Sequence, residues 1–474
     1  MAYEFGDKHD LVVIGGGPGG YEAALTGAQL GANVTLVERH GVGGSAVLTD
    51  VVPSKALIAV AEATTQVANA QRLGVQIFAP GSDEPIAPDY RIDLKTVNHR
   101  LLDLARQQSA DMAATLEKQG VRIVKGTGRL LNHHAIAADL PNGEVSEFHA
   151  DTTVISVGAH PRKLPSAMPD GERILTWTQL YQLEELPQHL IVVGSGVTGA
   201  EFASAFRHLG SEVTLISSRD RVLPGQDEDA ARVIEEVFLR EGMNVLSKSR
   251  AESVVREGDE VIATLSDGST VVGSHCLMAV GSIPNTAGLG LEGARVQTTA
   301  SGHIKVNRVA RTSVPEIYAA GDCTDFFPLA SVANMQGRTA VFHALGDAAQ
   351  PIKLRNVASN IFTAPEIASV GWSQSQIEEG LAQGVIYKYP LAENPRAKMQ
   401  NISDGFVKLF ARTQSGTVIG GVVVAPKASE LIFPLALAVE QRLTVDQVAN
   451  AFAVYPSLSG AITDAARALH MLKG

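Results

Sequence analysis

The apolar positions of this chain follow two patterns in succession. In the first, unbroken runs such as Val12–Ile14 lead into a glycine-rich turn and a helical stretch, as expected of parallel strands buried on both faces. The segment HDLVVIGGGPGGYEAALTGAQLGANVTLVER reads strand, turn, helix, strand. The unit returns as HLIVVGSGVTGAEFASAFRHLGSEVTLISSRDRVLP, with Gly194 standing 179 positions after Gly15. Thr152–Pro165 reads as a strand and turn leading toward the second unit, and Leu277–Glu292 leads out of it. Ile317–Gly337 gives a short strand ending at Gly321-Asp322 and then a helical run. From Asn356 the second pattern takes over, with alternating strands in FVKLFARTQSGTVIGGVVVA followed by two amphipathic helices. The predicted class is α/β: two Rossmann-like dinucleotide-binding domains and a C-terminal α+β domain. With no nucleotide fingerprint of its own, that last domain is most simply an assembly surface.

Each repeat carries a GxGxxG turn, which lets the backbone bend tightly and brings a helix N-terminus against a pyrophosphate. The glycines are Gly15, Gly17 and Gly20 in the first unit and Gly194, Gly196 and Gly199 in the second. A bare GxGxxG also fits an ordinary glycine turn. In the first unit Glu38, 18 residues after Gly20, ends the second strand, where a carboxylate accepts hydrogen bonds from ribose hydroxyls. The matching position in the second unit is Ser217, and Ser218, Arg219 and Arg221 follow it. Loss of the acid and gain of the bases favour a 2′-phosphate, hence NADPH with NADH tolerated; a solvated basic loop is the alternative. Asp322 sits where a strand end reaches a ligand in an open α/β sheet, a helix cap being its other reading. Two such sites imply one bound carrier and one diffusing carrier, the layout of a flavoenzyme.

The formal charge of −11 argues against nucleic-acid binding, which needs clustered Lys and Arg. MAYEFGDKHD has neither the basic nor the apolar region of a signal peptide, and no apolar run approaches the ~20 residues of a membrane span. The expectation is a soluble, cytoplasmic protein. Cys276 and Cys323 are the only cysteines and read as two separate buried thiols, without a motif for zinc or a disulfide.

The ordered set GxGxxG, PSK, SVG, GxGxxGxE, VGxxPN, AAGD and a C-terminal Tyr-Pro resembles the flavoprotein disulfide reductase family nearly end to end. The resemblance implies an FAD-binding domain at 1–165, an NAD(P)-binding domain at 166–284, a central segment 285–353 completing the FAD domain, and an interface domain at 354–474 that forms a homodimer. It implies FAD contacts at Gly15, Gly17, Gly20, Glu38, Gly44, Lys55, Gly128, Asp322 and the backbone around Ala330. Gly194, Gly196, Gly199, Glu201, Ser218, Arg219 and Gly281 of the VGxxPN match would serve the pyridine nucleotide. Lys55 and Glu201 match the family's ion pair beside flavin N5, where a cation stabilises charge that develops on reduction.

Two departures stand out. Aligned on Pro53-Ser54-Lys55, the family's cysteine positions hold Ala46 and Val51, which can form no thiolate and no mixed disulfide. The family's HPTxxE is here YPSLSG, with Tyr455 for the His and Gly460 for the Glu; a phenol titrating near 10 is a poor proton shuttle at neutral pH. Tyr455 then either donates a hydrogen bond in catalysis or packs at a subunit contact. Both nucleotide sites and the ion pair remain, so electrons must leave the flavin without sulfur. The expected activity is NAD(P)H dehydrogenation with a quinone-type acceptor. Soluble transhydrogenation, whose enzymes resemble this chain in Tyr-Pro but typically keep the first cysteine, and a non-catalytic flavin protein are the alternatives.

Overall fold

The computed structural model describes residues 9–78, 81, 83–86 and 91–471, which group into two compact units. One gathers residues 1–54, 99–162 and 281–354. The other gathers 55–98, 163–280 and 355–474.

The first unit is built on a five-stranded parallel sheet in the order Ile317–Ala319, Thr152–Ile155, Asp10–Ile14, Asn33–Glu38, Arg122–Lys125. The unbroken apolar run is explained by burial on both faces: Val12, Ile14 and Val37 pack with Leu130 and Ile136 on one side, and Leu11, Val13 and Leu36 with Ala23 and Leu116 on the other. Two helices, Pro18–Gln29 and Ala330–Ala344, lie against each other so closely that a Cβ on Gly337 would stand 2.0 Å from the Gly19 carbonyl oxygen. That approach excludes any side chain at Gly337. It brings the N-termini of two helices to one end of the sheet.

The second unit repeats the parallel design in the order Ile174–Thr176, His275–Met278, His189–Val193, Glu212–Ile216, Asn244–Leu246. It also holds a five-stranded antiparallel sheet, Ser359–Ile361, Glu366–Gly371, Val418–Ala425, Phe406–Ala411 and Val385–Pro390 in spatial order. All eight residues of Val418–Ala425 are buried, as the apolar run predicts. Three helices follow, Ala428–Glu440, Val445–Ala449 and Gly460–Met471; the extra one is a five-residue turn of helix capped by Thr444.

The stretch Gly44–Leu73 is long and apolar enough by length and composition to cross a membrane. Its alanines raise the mean hydropathy, while three of its polar residues are bound within the protein: Lys55 pairs with Glu201, Glu62 with Lys427, and the Thr64 hydroxyl donates to the His208 carbonyl. Those contacts tie the helix to the fold.

Candidate functional site

The two glycine turns have the same geometry. A Cβ on Gly15 would lie 2.3 Å from the Ser156 carbonyl oxygen, and one on Gly194 would lie 2.3 Å from that of Ala279. A Cβ on Gly20 would lie 1.8 Å from the Gly15 carbonyl oxygen, and one on Gly199 would lie 1.8 Å from that of Gly194. These four positions exclude side chains because strand, turn and helix meet there. The middle glycines differ in kind: the nearest atom to a Cβ on Gly17 is 3.8 Å away, and none lies within 4 Å of one on Gly196. Each caps the N-terminus of its helix without a side-chain partner, which leaves bare backbone where a pyrophosphate would approach.

Around the first turn, Glu38 is buried and its carboxylate accepts from the Gly16, His40 and Gly41 amides at 2.6, 2.6 and 3.2 Å. It holds the backbone on either side of the turn and the second strand's end together. Gly44, with φ +56°, packs on Gly17, where a Cβ would meet the Gly17 Cα at 2.8 Å. Gly128 sits under the sheet against Ile14. Ala330 opens its helix behind Leu329, with no side-chain cap. Asp322 does not cap that helix; it follows the strand Ile317–Ala319, and burial raises its pKa while His303 opposes the rise. No hydrogen-bond donor meets its carboxylate among the described residues. A bare turn, an uncapped helix start and a half-buried acceptor fit the pyrophosphate and hydroxyls of FAD.

In the second unit, Ser217 is buried and committed. Its hydroxyl lies 2.7 Å from that of Ser195 and also meets the Arg219 and Arg221 carbonyl oxygens at 3.2 and 3.3 Å. Arg221 pairs with Glu228 at 3.6 Å, which leaves exposed Ser218 and Arg219 as the side chains able to meet a ribose phosphate. Gly281, at φ +92°, has open space where its Cβ would be; it belongs to the first unit.

Lys55 and Glu201 stand 146 positions apart in sequence and 2.7 Å apart in the second unit. The Lys55 side chain keeps 27% of its exposure and Glu201 only 6%, so the ammonium reaches outward from a buried carboxylate. The other oxygen of Glu201 accepts from the Phe362 amide at 2.8 Å, and the Lys55 ammonium lies 4.7 Å from the Phe362 ring centre. One helix turn on, the Ser204 hydroxyl accepts from the Ala364 amide at 3.3 Å. Glu201 and Ser204 thus hang the Phe362–Ala364 segment on the helix Val197–Leu209. Lys55 meets Glu201 and Thr64 meets His208 in the same chain sense, so the two helices run parallel. Phe362 went unread in the sequence because its part is played by a backbone amide and a ring face, which no motif marks.

No thiol attends any of this. Ala46 and Val51 hold the expected cysteine positions, and the two thiols present are fully buried in different units. Burial pushes the Cys323 thiol up to about 11 and raises Cys276 further. Tyr455 is 81% exposed, beside exposed Phe452 and Val454.

Fold and site together define an oxidoreductase that works with two dinucleotides. The chain belongs to the pyridine nucleotide-disulphide oxidoreductase family, whose model matches residues 9–337, and the family's dimerisation domain matches residues 357–466. It is 51% identical over 97% of its length, and 93% of the relative's, to a Mycobacterium tuberculosis protein named NAD(P)H dehydrogenase (quinone). A Bacillus subtilis dihydrolipoyl dehydrogenase is 30% identical over 98% of this chain and 97% of its own. The crystal structure of LpdA from Mycobacterium tuberculosis superposes with a TM-score of 0.92 at 50% identity, covering 97% of this chain and 99% of that one.

Proposed function

We propose that this protein is an FAD-dependent NAD(P)H dehydrogenase that delivers electrons to a quinone-type acceptor without a redox-active disulfide. One observation carries the reading: the Lys55–Glu201 pair is intact while the positions matched to the cysteine pair are Ala46 and Val51. The name of the 51% identical relative supports the same acceptor class.

FAD, when bound, supplies the hydride and electron-transfer chemistry between nucleotide and acceptor. The residues of this chain bind and polarise. The amides at Gly15–Gly17 and Gly194–Gly196 would receive the two pyrophosphates, Glu38 and Asp322 would accept from FAD hydroxyls, and Arg219 with Ser218 would meet the 2′-phosphate of NADPH. Lys55 would supply the positive charge that stabilises a reduced flavin, and Glu201 holds the ammonium at one position while offsetting the cost of its burial. Tyr455 donates a hydrogen bond across the interface of a homodimer, where a second copy covers Phe452 and Val454. The proposed setting is the cytoplasm.

The test is an anaerobic titration of the flavin-loaded protein with NADPH, followed by a panel of acceptors. Loss of visible flavin absorbance on NADPH addition and its return with a benzoquinone are expected. Turnover of lipoamide at a comparable rate would overturn the reading. Ser217 in place of an acid favours one second reading, transhydrogenation, which efficient NADPH-dependent reduction of thio-NAD+ would support instead.

A further inference from the structure

The strand Phe406–Ala411 carries a lysine, between Phe406 and Phe410 on one face, that the structure buries to 1% side-chain exposure. The Lys408 ammonium donates to both Asp227 oxygens at 2.8 and 2.9 Å and to the Gln374 carbonyl at 2.7 Å, and it pairs with Asp229 at 2.9 Å. Lys388 reaches Asp229 at 3.1 Å, so two lysines face two aspartates and the cluster is neutral. Burial works to raise the Asp229 pKa, but the two lysines outweigh it and hold it below the usual range.

The position of Asp227 in the chain gives this cluster its consequence. Asp227 ends the loop that begins at Ser217 and bears Ser218 and Arg219, and its carboxylate caps the helix Glu228–Arg240 by accepting from the Ala230 amide. The rest of the loop is tied on two sides: the Leu223 amide donates to the Ser195 carbonyl of the glycine turn at 2.9 Å, and the Val222 amide donates to Glu235 of the helix at 3.0 Å. Leu223 has φ +51°, a left-handed conformation that a leucine does not keep without outside restraint. At the helix's other end, Arg240 makes a two-pronged contact with Asp404 at 3.0 and 2.6 Å, just before the lysine strand. The C-terminal domain therefore grips this helix at both ends.

We propose that Lys408 is a positioning residue for the pyridine nucleotide. By fixing Asp227 it sets the loop Ser217–Gln226, and through the loop the place of Arg219 beside the ribose. The inference rests on the reading that this loop meets the nucleotide, but not on the identity of the electron acceptor.

The experiment measures dissociation constants of NADPH and NADH on flavin-loaded protein for Lys408→Met, Arg219→Ala and the double variant. Lys408→Met is expected to weaken NADPH by about tenfold and NADH by less, the scale of one well-placed charged contact. Because Lys408 acts through the loop, Arg219→Ala is expected to cost less in the Lys408→Met background than in the wild type. Additive effects, or equal weakening of both nucleotides, would overturn the proposal. If Lys408→Met fails to fold, Asp404→Asn loosens the exposed end of the same helix; a smaller loss of NADPH affinity supports the proposal, and unchanged affinity overturns it. A wrong acceptor assignment would leave all these constants untouched, whereas a loop that does not meet the nucleotide would show as an Arg219→Ala variant with wild-type affinities.

Discussion

The two nucleotide turns share the steric restraints on their outer glycines and diverge most at the end of the second strand. Gly15 and Gly194 face a carbonyl oxygen at the same 2.3 Å Cβ distance, and Gly20 and Gly199 at the same 1.8 Å. At the end of the second strand the chemistry inverts. Glu38 accepts from three backbone amides, whereas Ser217 has one hydroxyl among a serine and two carbonyls. Backbone crowding fixes the turn, and the residue 18 positions on organises the loop beside it through its own hydrogen bonds. The same fold thereby serves two different nucleotides.

The largest effect expected from this comparison is on the glycines that face carbonyls. Gly20→Ala and Gly199→Ala are expected to destabilise the fold by more than about 4 kcal/mol, beyond the ordinary range for point substitutions, read as loss of folded protein or a collapse in Tm. Gly196→Ala, whose Cβ enters open space, is expected to keep the wild-type Tm within a few degrees while weakening nucleotide binding about a hundredfold, because the methyl group occupies the ligand's approach. Equal loss of stability in Gly196→Ala and Gly199→Ala would break the distinction between steric and ligand-facing glycines.

Next in size is the acid itself. Ser217→Glu places a carboxylate where the second unit has a hydroxyl, and is expected to move the ratio of kcat/KM for NADPH over NADH at least tenfold toward NADH. Arg219→Ala is expected to raise the NADPH KM about tenfold with little change for NADH, and an equal change in both would remove its phosphate role.

The smallest effect concerns stability against pH. His275 begins a strand of the second parallel sheet, and burial together with Arg173 pushes its pKa down to about 4 from the usual 6.5. The unfolded chain binds this proton below about 6.5 and the folded chain only below about 4, so stability falls as the pH is lowered through that window. Discounted for partial exposure, the loss is about 1–2 kcal/mol. Urea midpoints at pH 7 and pH 4.5 measure it, and His275→Gln is expected to shrink the difference.

Much of the site was legible before the structure. The turns, Glu38, the exchanged Ser217 and the missing cysteines are local patterns, and local geometry follows from them. Lys55 and Glu201 were legible only through a family resemblance, because a pairing across 146 positions leaves no spacing to read. Phe362 was not legible. Lys408 carries no motif in the sequence; it is buried because Asp227, 181 positions away, and Asp229 satisfy its charge. Arg221 looked equivalent to Arg219 until Glu228 was seen to hold it.

The sealed state of Cys276 and Cys323 has a consequence for resilience. Both sulfurs are closed off from solvent and held in the thiol form, so peroxide, hypochlorite, alkylating agents and soft metal ions find no thiolate to attack. Inactivation through a reactive cysteine is a route closed to this chain.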